Sequence, residues 1–307
     1  ITIDPAQAYD SVSVDTIDQV MEGLVMYDLF DPEMMIIPCL ATDTGSWGEN
    51  ATEITFSLRH NVTFHDGIPF NASAVKYSFD RLYHLIENNI SQLTALYAPL
   101  AQMYPTTPFL INETVIVDEF TVKFILNYPY VAFSALLCFS GSCIVHPDMP
   151  YNRILELNET IYGTGPYVLD SCSTSEIHFS AYKNYRRSPP EINEMRWIIY
   201  NDDVAKQSAL LAGDIHMIDG LIPMCISCYD EGSNFLIFHE TRPTATIQYL
   251  GINNKIVNQT LRQAISYAID YDYVIDTIMN GLAERTSSPI PDGIKFHDPT
   301  VEPPNYN

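Results

Sequence analysis

The sequence predicts an α/β chain in which mixed sheets carry flanking helices. Three observations predict it. Stretches with a two-residue hydrophobic period alternate with stretches of helical period, so neither class dominates. The helical stretches open on Asn or Asp and several stop at Gly. The chain has 307 residues, 47% of them hydrophobic, enough for two cores at about 150 residues per domain.

Residues 53–59 alternate Ile54, Phe56 and Leu58 against Thr55 and Ser57, the pattern of a half-buried strand. His65-Asp66-Gly67 follows as a turn, and Asn71 stands at the N-cap of a helix carrying Val75, Phe79, Leu82, Tyr83 and Ile86. Val115–Val117 and Thr121–Leu126, joined through Asp118-Glu119, read as a hairpin; Ile177–Tyr182 and Met195–Tyr200 read as further strands. Asp202 or Asp203 caps a helix through Ala205, Leu210 and Leu211 that ends at Gly213. Residues 261–268 form a helix with Ile265 and Ala268 inward, and Asp270 or Asp272 caps the next, through Ile275 and Met279 to Gly281. The tail from Pro289 is Pro-rich loop. There is no internal repeat.

Charge narrows the function. The chain holds 15 basic and 38 acidic residues, a formal charge of −23. Nucleic-acid binding needs Lys/Arg clusters to displace counterions, and here the densest basic cluster is Arg186-Arg187 with Lys183. Anionic membrane surfaces repel such a chain as well. Charged residues are 17% of the total, against about 25% in an average soluble chain, which implies a polar but uncharged surface.

Asn-x-Ser/Thr occurs seven times, at Asn50, Asn61, Asn71, Asn89, Asn112, Asn158 and Asn258. That number points to N-linked glycans and an extracytoplasmic chain; Asn/Thr-rich loops are the plainer alternative. Six cysteines, Cys39, Cys138, Cys143, Cys172, Cys225 and Cys228, suit the same compartment as a disulfide set. Cys138 and Cys143 flank a Phe-Ser-Gly-Ser stretch able to fold back, so they are the first expected pair. Cys225 and Cys228 would otherwise be a redox dithiol, or half of a four-thiolate zinc site with Cys138 and Cys143. The start at Ile1 fits a mature N-terminus after a removed signal peptide. The uncharged run 124–145 is long enough to cross a bilayer, but Asn127, Pro129, Ser140, Gly141 and Ser142 interrupt it, so it reads as buried core and any membrane tether lies outside the sequence.

No catalytic arrangement is present. The sequence lacks Gly-x-Ser-x-Gly, His-Glu-x-x-His, the phosphate-binding Gly-x-x-x-x-Gly-Lys-Ser/Thr and Gly-x-Gly-x-x-Gly. His65 beside Asp66 has the composition of a general base, but its place before a glycine makes it a turn closer. His146, His178, His216, His239 and His297 have no ligand spacing with one another or with the cysteines. No metal, cofactor or enzymatic activity is expected.

Longer motifs carry a resemblance. Ile3-Asp4-Pro5-Ala6 through Tyr9-Asp10-Ser11, then Glu22-Gly23-Leu24, Tyr27 and Pro38-Cys39-Leu40-Ala41, resemble the opening of the extracytoplasmic solute-binding proteins of peptide/nickel-type (family 5) ABC importers. Phe56-Ser57-Leu58-Arg59, the run 62–72 around His65-Asp66-Gly67, and Val75-Lys76-Tyr77-Ser78 are similar to the family's signature. Gly163-Thr164-Gly165-Pro166-Tyr167, Asn184-Tyr185, Ala212-Gly213-Asp214-Ile215 and residues 262–270 follow in the family's order. The resemblance implies a two-lobed periplasmic-binding-protein-like fold of the class II, cluster C type that closes on a solute and delivers it to a permease. It places a first lobe at 1–250, with an inserted subdomain at roughly 45–160, and the start of a second lobe at 251–307. Gly165-Pro166 is read as a tight turn between strands. Asn61 stands where the family has glycine, a left-handed position that Asn tolerates. Asn71 combines sequon and helix cap, so a glycan there would crowd the helix start.

The chain stops at Asn307, where the family has only opened its second lobe. The resemblance therefore implies that the rest of that lobe, with the acidic partner of a peptide's amino terminus, lies elsewhere, in a longer protein or on a second chain. The expected cargo is an oligopeptide, with an oligosaccharide next. Candidate ligand-binding residues are Tyr9, Ser11 and Ser13, after a first strand, and Tyr249, Gly251 and Asn253, where the chain crosses toward the second lobe. The alternative is a glycosylated, self-assembling surface or filament protein on the same fold. Sequon glycosylation suits an archaeal surface better than a bacterial periplasm, and a pI near 4.4 suits an acidic medium.

Overall fold

The computed structural model describes residues 1–31, 34–88, 109–218, 247–286, 288–291, 297–298 and 300–301. It divides into two compact units, Ile1–Ile199 and Tyr200–Asn307. The lobe boundary expected at 250 falls inside the second unit.

The first unit opens without a strand. Residues 1–10 form turns, and helix α1 covers Ser11–Val20, capped by Asp10, whose carboxylate accepts from Ser13 N. Ile17 and Val20 are buried along one face. Strands β1 (Val25–Tyr27) and β2 (Ile36–Pro38) pair as an antiparallel ribbon. A four-stranded antiparallel sheet follows, built from β3 (Ser46–Trp47), β4 (Glu53–Ser57), β5 (Ile111–Asp118) and β6 (Thr121–Leu126) in the order β3-β4-β6-β5. The alternation predicted for β4 is present, with Ile54, Phe56 and the following Leu58 buried. Helix α2 (Ala72–Glu87) packs on this sheet; Asn71 caps it by accepting from Ser73 N and Ala74 N.

Among the described residues two cores share the unit. The first joins α2 and the four-stranded sheet around Phe56, Phe79, Phe124 and Phe133, which meet edge to face at 4.8–6.0 Å between centroids; each such pair adds about 0.5–1.5 kcal/mol beyond area burial. The run 124–145 does enter the interior: Phe124, Leu126, Phe133, Leu136, Leu137, Ile144 and Val145 are buried. It contains the short helix α3 (Phe133–Leu136) and a 3-10 turn at Ser140–Ser142. The second core gathers Ile3, Ile17 and Val20 with Leu169, Ile177 and Phe179. Those last residues lie on β7 (Tyr167–Cys172) and β8 (Glu176–Ala181), which with β9 (Glu194–Ile198) form a three-stranded antiparallel sheet.

The cysteine expectation is corrected here. Cys39, Cys138, Cys143 and Cys172 are free thiols; Cys225 and Cys228 lie outside the described residues. Cys138 packs against the first core and Cys143 inside the second, on opposite sides of the Ser140–Ser142 turn. The turn separates the two sulfurs where a simple fold-back would have joined them.

In the second unit, α4 (Asp203–Ala212) is capped by Asp202 and ends at Gly213 in left-handed backbone. Helix α5 (Gln259–Tyr267) starts at Asn258, and α6 (Tyr271–Tyr273) at Asp270, continuing as a π turn over Val274–Ile278. The inward face expected at Ile265 and Ala268 is not found: α5 buries none of its residues, Ala268 is exposed and Ile265 is half-buried. Helical period identifies an apolar face, and burial also needs a neighbour to pack on it.

Candidate functional site

Asp4 anchors the segment that carries Tyr9. It is fully buried, with Arg81 of α2 on both of its oxygens at 3.1 and 2.5 Å. The same carboxylate accepts from Ala6 N and Leu155 N at 3.0 Å each. Arg81 also donates to the carbonyls of Pro150 and Arg153. A buried bidentate pair with this many partners fixes the strap 3–8 in place. Tyr9 emerges from the strap and is 65% exposed.

The structure separates the three candidates there. Ser11 is exposed at the first turn of α1, whereas Ser13 is buried, its hydroxyl donating to Asp10 Oδ2 at 2.6 Å and accepting from Thr2 N at 2.8 Å. Both serines are helical rather than on a loop after a strand. In the second unit, Tyr249 is 86% exposed, Gly251 and Asn253 are exposed, and Asn253 Oδ1 accepts from Lys255 N at 3.0 Å to close a turn.

A second buried carboxylate, Glu22, follows α1. Its oxygens accept from Tyr185 Oη at 2.9 Å, Arg186 Nη2 at 2.7 Å, Arg186 Nε at 3.3 Å and Thr164 Oγ1 at 3.1 Å. Cys39 Sγ donates to it at 3.5 Å. Burial first, then Glu22, pushes the Cys39 thiol up to about 12. Burial and Glu22 likewise push the Tyr185 phenol upward.

His65 joins two of the motifs. Its Nδ1 accepts from Gly163 N at 3.3 Å, its Nε2 donates to Gly165 O at 3.0 Å, and its own N–H donates to Gly163 O at 3.0 Å. Burial holds the imidazole below the ordinary histidine value, against the opposing pull of the Gly165 carbonyl, Glu22 and Asp66. The ring is a neutral crosslink, in keeping with its reading as structural. The glycines have a reason beyond the turn proposed for Gly165-Pro166. A Cβ on Gly163 would lie 1.9 Å from Val20 O, and one on Gly165 2.7 Å from it; Gly165 N donates to the same carbonyl at 2.9 Å. The loop thus terminates α1 by backbone contact.

Asp4, Glu22 and His65 stand inside recognisable motifs, but the sequence does not mark their partners, Arg81 for Asp4 and Arg186 for Glu22. A lone acid or arginine inside an apolar pattern was the available signal, since such a charge is buried only when paired. Among the described residues no cluster of three or more metal-ligating side chains occurs, and no helix is long and apolar enough to cross a membrane.

The model of bacterial extracellular solute-binding proteins, family 5 (middle part), matches residues 35–307. The chain is 27% identical over 273 residues to the probable D,D-dipeptide-binding periplasmic protein DdpA of Escherichia coli, covering 85% of this chain and 50% of that protein. It is 25% identical to the glutathione-binding protein GsiB of Pectobacterium atrosepticum, covering 96% of this chain and 55% of that one. The periplasmic binding protein DppA of Helicobacter pylori, solved with the peptide STSA, superposes with a TM-score of 0.86 at 24% identity, over all of this chain and 62% of that structure. Those structures are two-lobed binding proteins; this chain is mixed α/β and covers about 62% of them, with the second lobe incomplete. The chain spans about half the length of the curated relatives it matches.

Proposed function

Because the chain belongs to the family 5 bacterial extracellular solute-binding proteins, we propose that it forms part of a receptor that takes a short peptide between two lobes and passes it to an ABC importer. The match over 35–307 carries this reading. Peptide stands before other solutes because the curated relatives are named for a D,D-dipeptide and for glutathione, and a structural relative holds the peptide STSA. The role is binding and release, with no chemical step.

Tyr9 and Ser11, and independently Tyr249, Gly251 and Asn253, are proposed as peptide-contacting residues, each set on its own unit. Tyr9 and Tyr249 each offer an exposed aromatic face with a hydroxyl. Ser13 is left out because its hydroxyl already holds Asp10 and Thr2. The proposed setting is extracytoplasmic, delivered to a permease in the membrane, and the seven sequons support glycosylation there.

The test is calorimetric titration of the full-length gene product with D-Ala-D-Ala, glutathione and tri- to pentapeptides. Binding of at least one peptide with loss on Tyr9→Ala or Tyr249→Ala is expected. At about 100 times Kd, a true ligand stabilises by about 2.7 kcal/mol, so absence of both heat and thermal shift for every peptide overturns the peptide reading.

A further inference from the structure

We propose that Asn50 and Asn112 carry N-linked glycans that cover the two open edges of the four-stranded sheet. In the order β3-β4-β6-β5, strands β3 and β5 are the edges, and among the described residues each pairs on one side only. Edge strands present unpaired backbone groups to other chains, and proteins blunt them with charge, bulges or cover. The exposed acids Glu113 and Asp118, two register shifts on β5 and the two-residue length of β3 blunt these edges in part. Apolar side chains add to the exposure: Trp47 on β3, and Ile116 and Val117 on β5, all lie open to solvent.

Each edge carries a sequon at a point outside the hydrogen-bonded ladder. Asn112 lies in the irregularity where the β5–β6 register passes from Ile111 to Glu113, and it is exposed. Asn50 lies in the turn between β3 and β4, exposed and next to Ala51, which holds left-handed backbone at φ +52°. Neither side-chain amide makes a hydrogen bond to the described residues. By contrast, Asn71 and Asn258 accept backbone N–H groups as caps of α2 and α5. A sugar on either would be forced against the first helical turn. Asn158 is exposed but lies on neither edge.

The chemistry is a group transfer. Asn Nδ2 displaces the phosphate at the anomeric carbon of a polyprenyl-phosphate- or diphosphate-linked oligosaccharide. The new N–C bond replaces the C–O bond to phosphate, the lipid phosphate leaves, and one amide proton goes to solvent. Thr52 and Thr114 supply the hydroxyls the motif requires; Thr114 is buried in the folded sheet, so transfer at Asn112 precedes closure of β5.

This inference rests on the extracytoplasmic reading above. The test is peptide mapping by mass spectrometry of the full-length protein purified from its own cells. Peptides with Asn50 and Asn112 are expected to carry glycan mass, and those with Asn71 and Asn258 to run unmodified. Unmodified Asn50 and Asn112, or modified Asn71 and Asn258, overturns the assignment. The variant N50Q/N112Q, made in the same host, should lose that mass, keep its circular dichroism melt and gain dimers and larger species in sedimentation, whereas N158Q stays as monodisperse as the parent. A double variant as monodisperse as the parent overturns the covering role. Fractionation of the cells separates the two readings: unglycosylated protein outside the cytoplasm overturns this inference alone, and protein confined to the cytoplasm overturns the placement too.

Discussion

Asp4 has four hydrogen bonds on two carboxylate oxygens and no contact with solvent. Removing one partner of such a pair leaves an uncompensated buried charge, which costs about 3–5 kcal/mol. D4N and R81M should each lower the unfolding free energy by that amount, read in equilibrium urea unfolding as a lower midpoint with an unchanged slope. His65 makes a pH prediction. Its folded value lies below the unfolded value of about 6.5, so the unfolded chain binds more protons and stability falls as pH drops below about 6.5. H65Q should flatten that part of the stability curve, and an unchanged slope in H65Q would refute the assignment. The sequence showed the acids and the histidine but not their mates, because pairings such as Asp4 with Leu155 and His65 with Gly165 span 151 and 100 residues. Local patterning carries no information at that range.

At the scale of elements, the Gly163–Gly165 loop lies in close backbone contact with the end of α1. A methyl at Gly163 would sit 1.9 Å from Val20 O, the backbone oxygen that Gly165 N already holds at 2.9 Å. G163A should therefore cost more than about 4 kcal/mol and abolish soluble expression. G67A meets open space but holds φ at +92°, and should cost only about 1–2 kcal/mol; melting of the purified variant checks it. The free thiols give a further expectation. Burial pushes Cys138 up to about 12 and Cys143 well above its ordinary value, so both should stay unlabelled by iodoacetamide at neutral pH in the native state, and non-reducing peptide mapping should find no bond between them. Strand β4, helices α2 and α4 and the β5–β6 hairpin were legible because each carries its own period and cap. Helix α1 was missed although Asp10 and the buried Ile17 and Val20 signal it, since the opening motif was read as a strand. Cys138–Cys143 was misread because the Ser140–Ser142 turn sends its two flanks into different cores.

The molecule as a whole is strongly acidic, at a formal −23. Self-repulsion of that size is screened as the Debye length falls to about 10 Å near 0.1 M salt. Melting temperature should therefore rise from low salt to about 0.15 M sodium chloride in a calorimetric scan; a flat response would mean that the acids are already spaced beyond mutual reach. Family and fold were legible at this scale through the ordered motifs, while the exposed faces of α5 and α6 were not, because burial depends on neighbours beyond any single segment. The Glu22 junction has one more consequence. Its hydrogen-bonding partners Thr164 and Arg186 follow it by 142 and 164 residues, so this carboxylate is fully satisfied only after those distant segments have been made. Long-range closures of this kind slow folding. Until Arg186 has emerged, a nascent chain holds Glu22 without its guanidinium partner, so the end of α1 is sealed by residues made long after it.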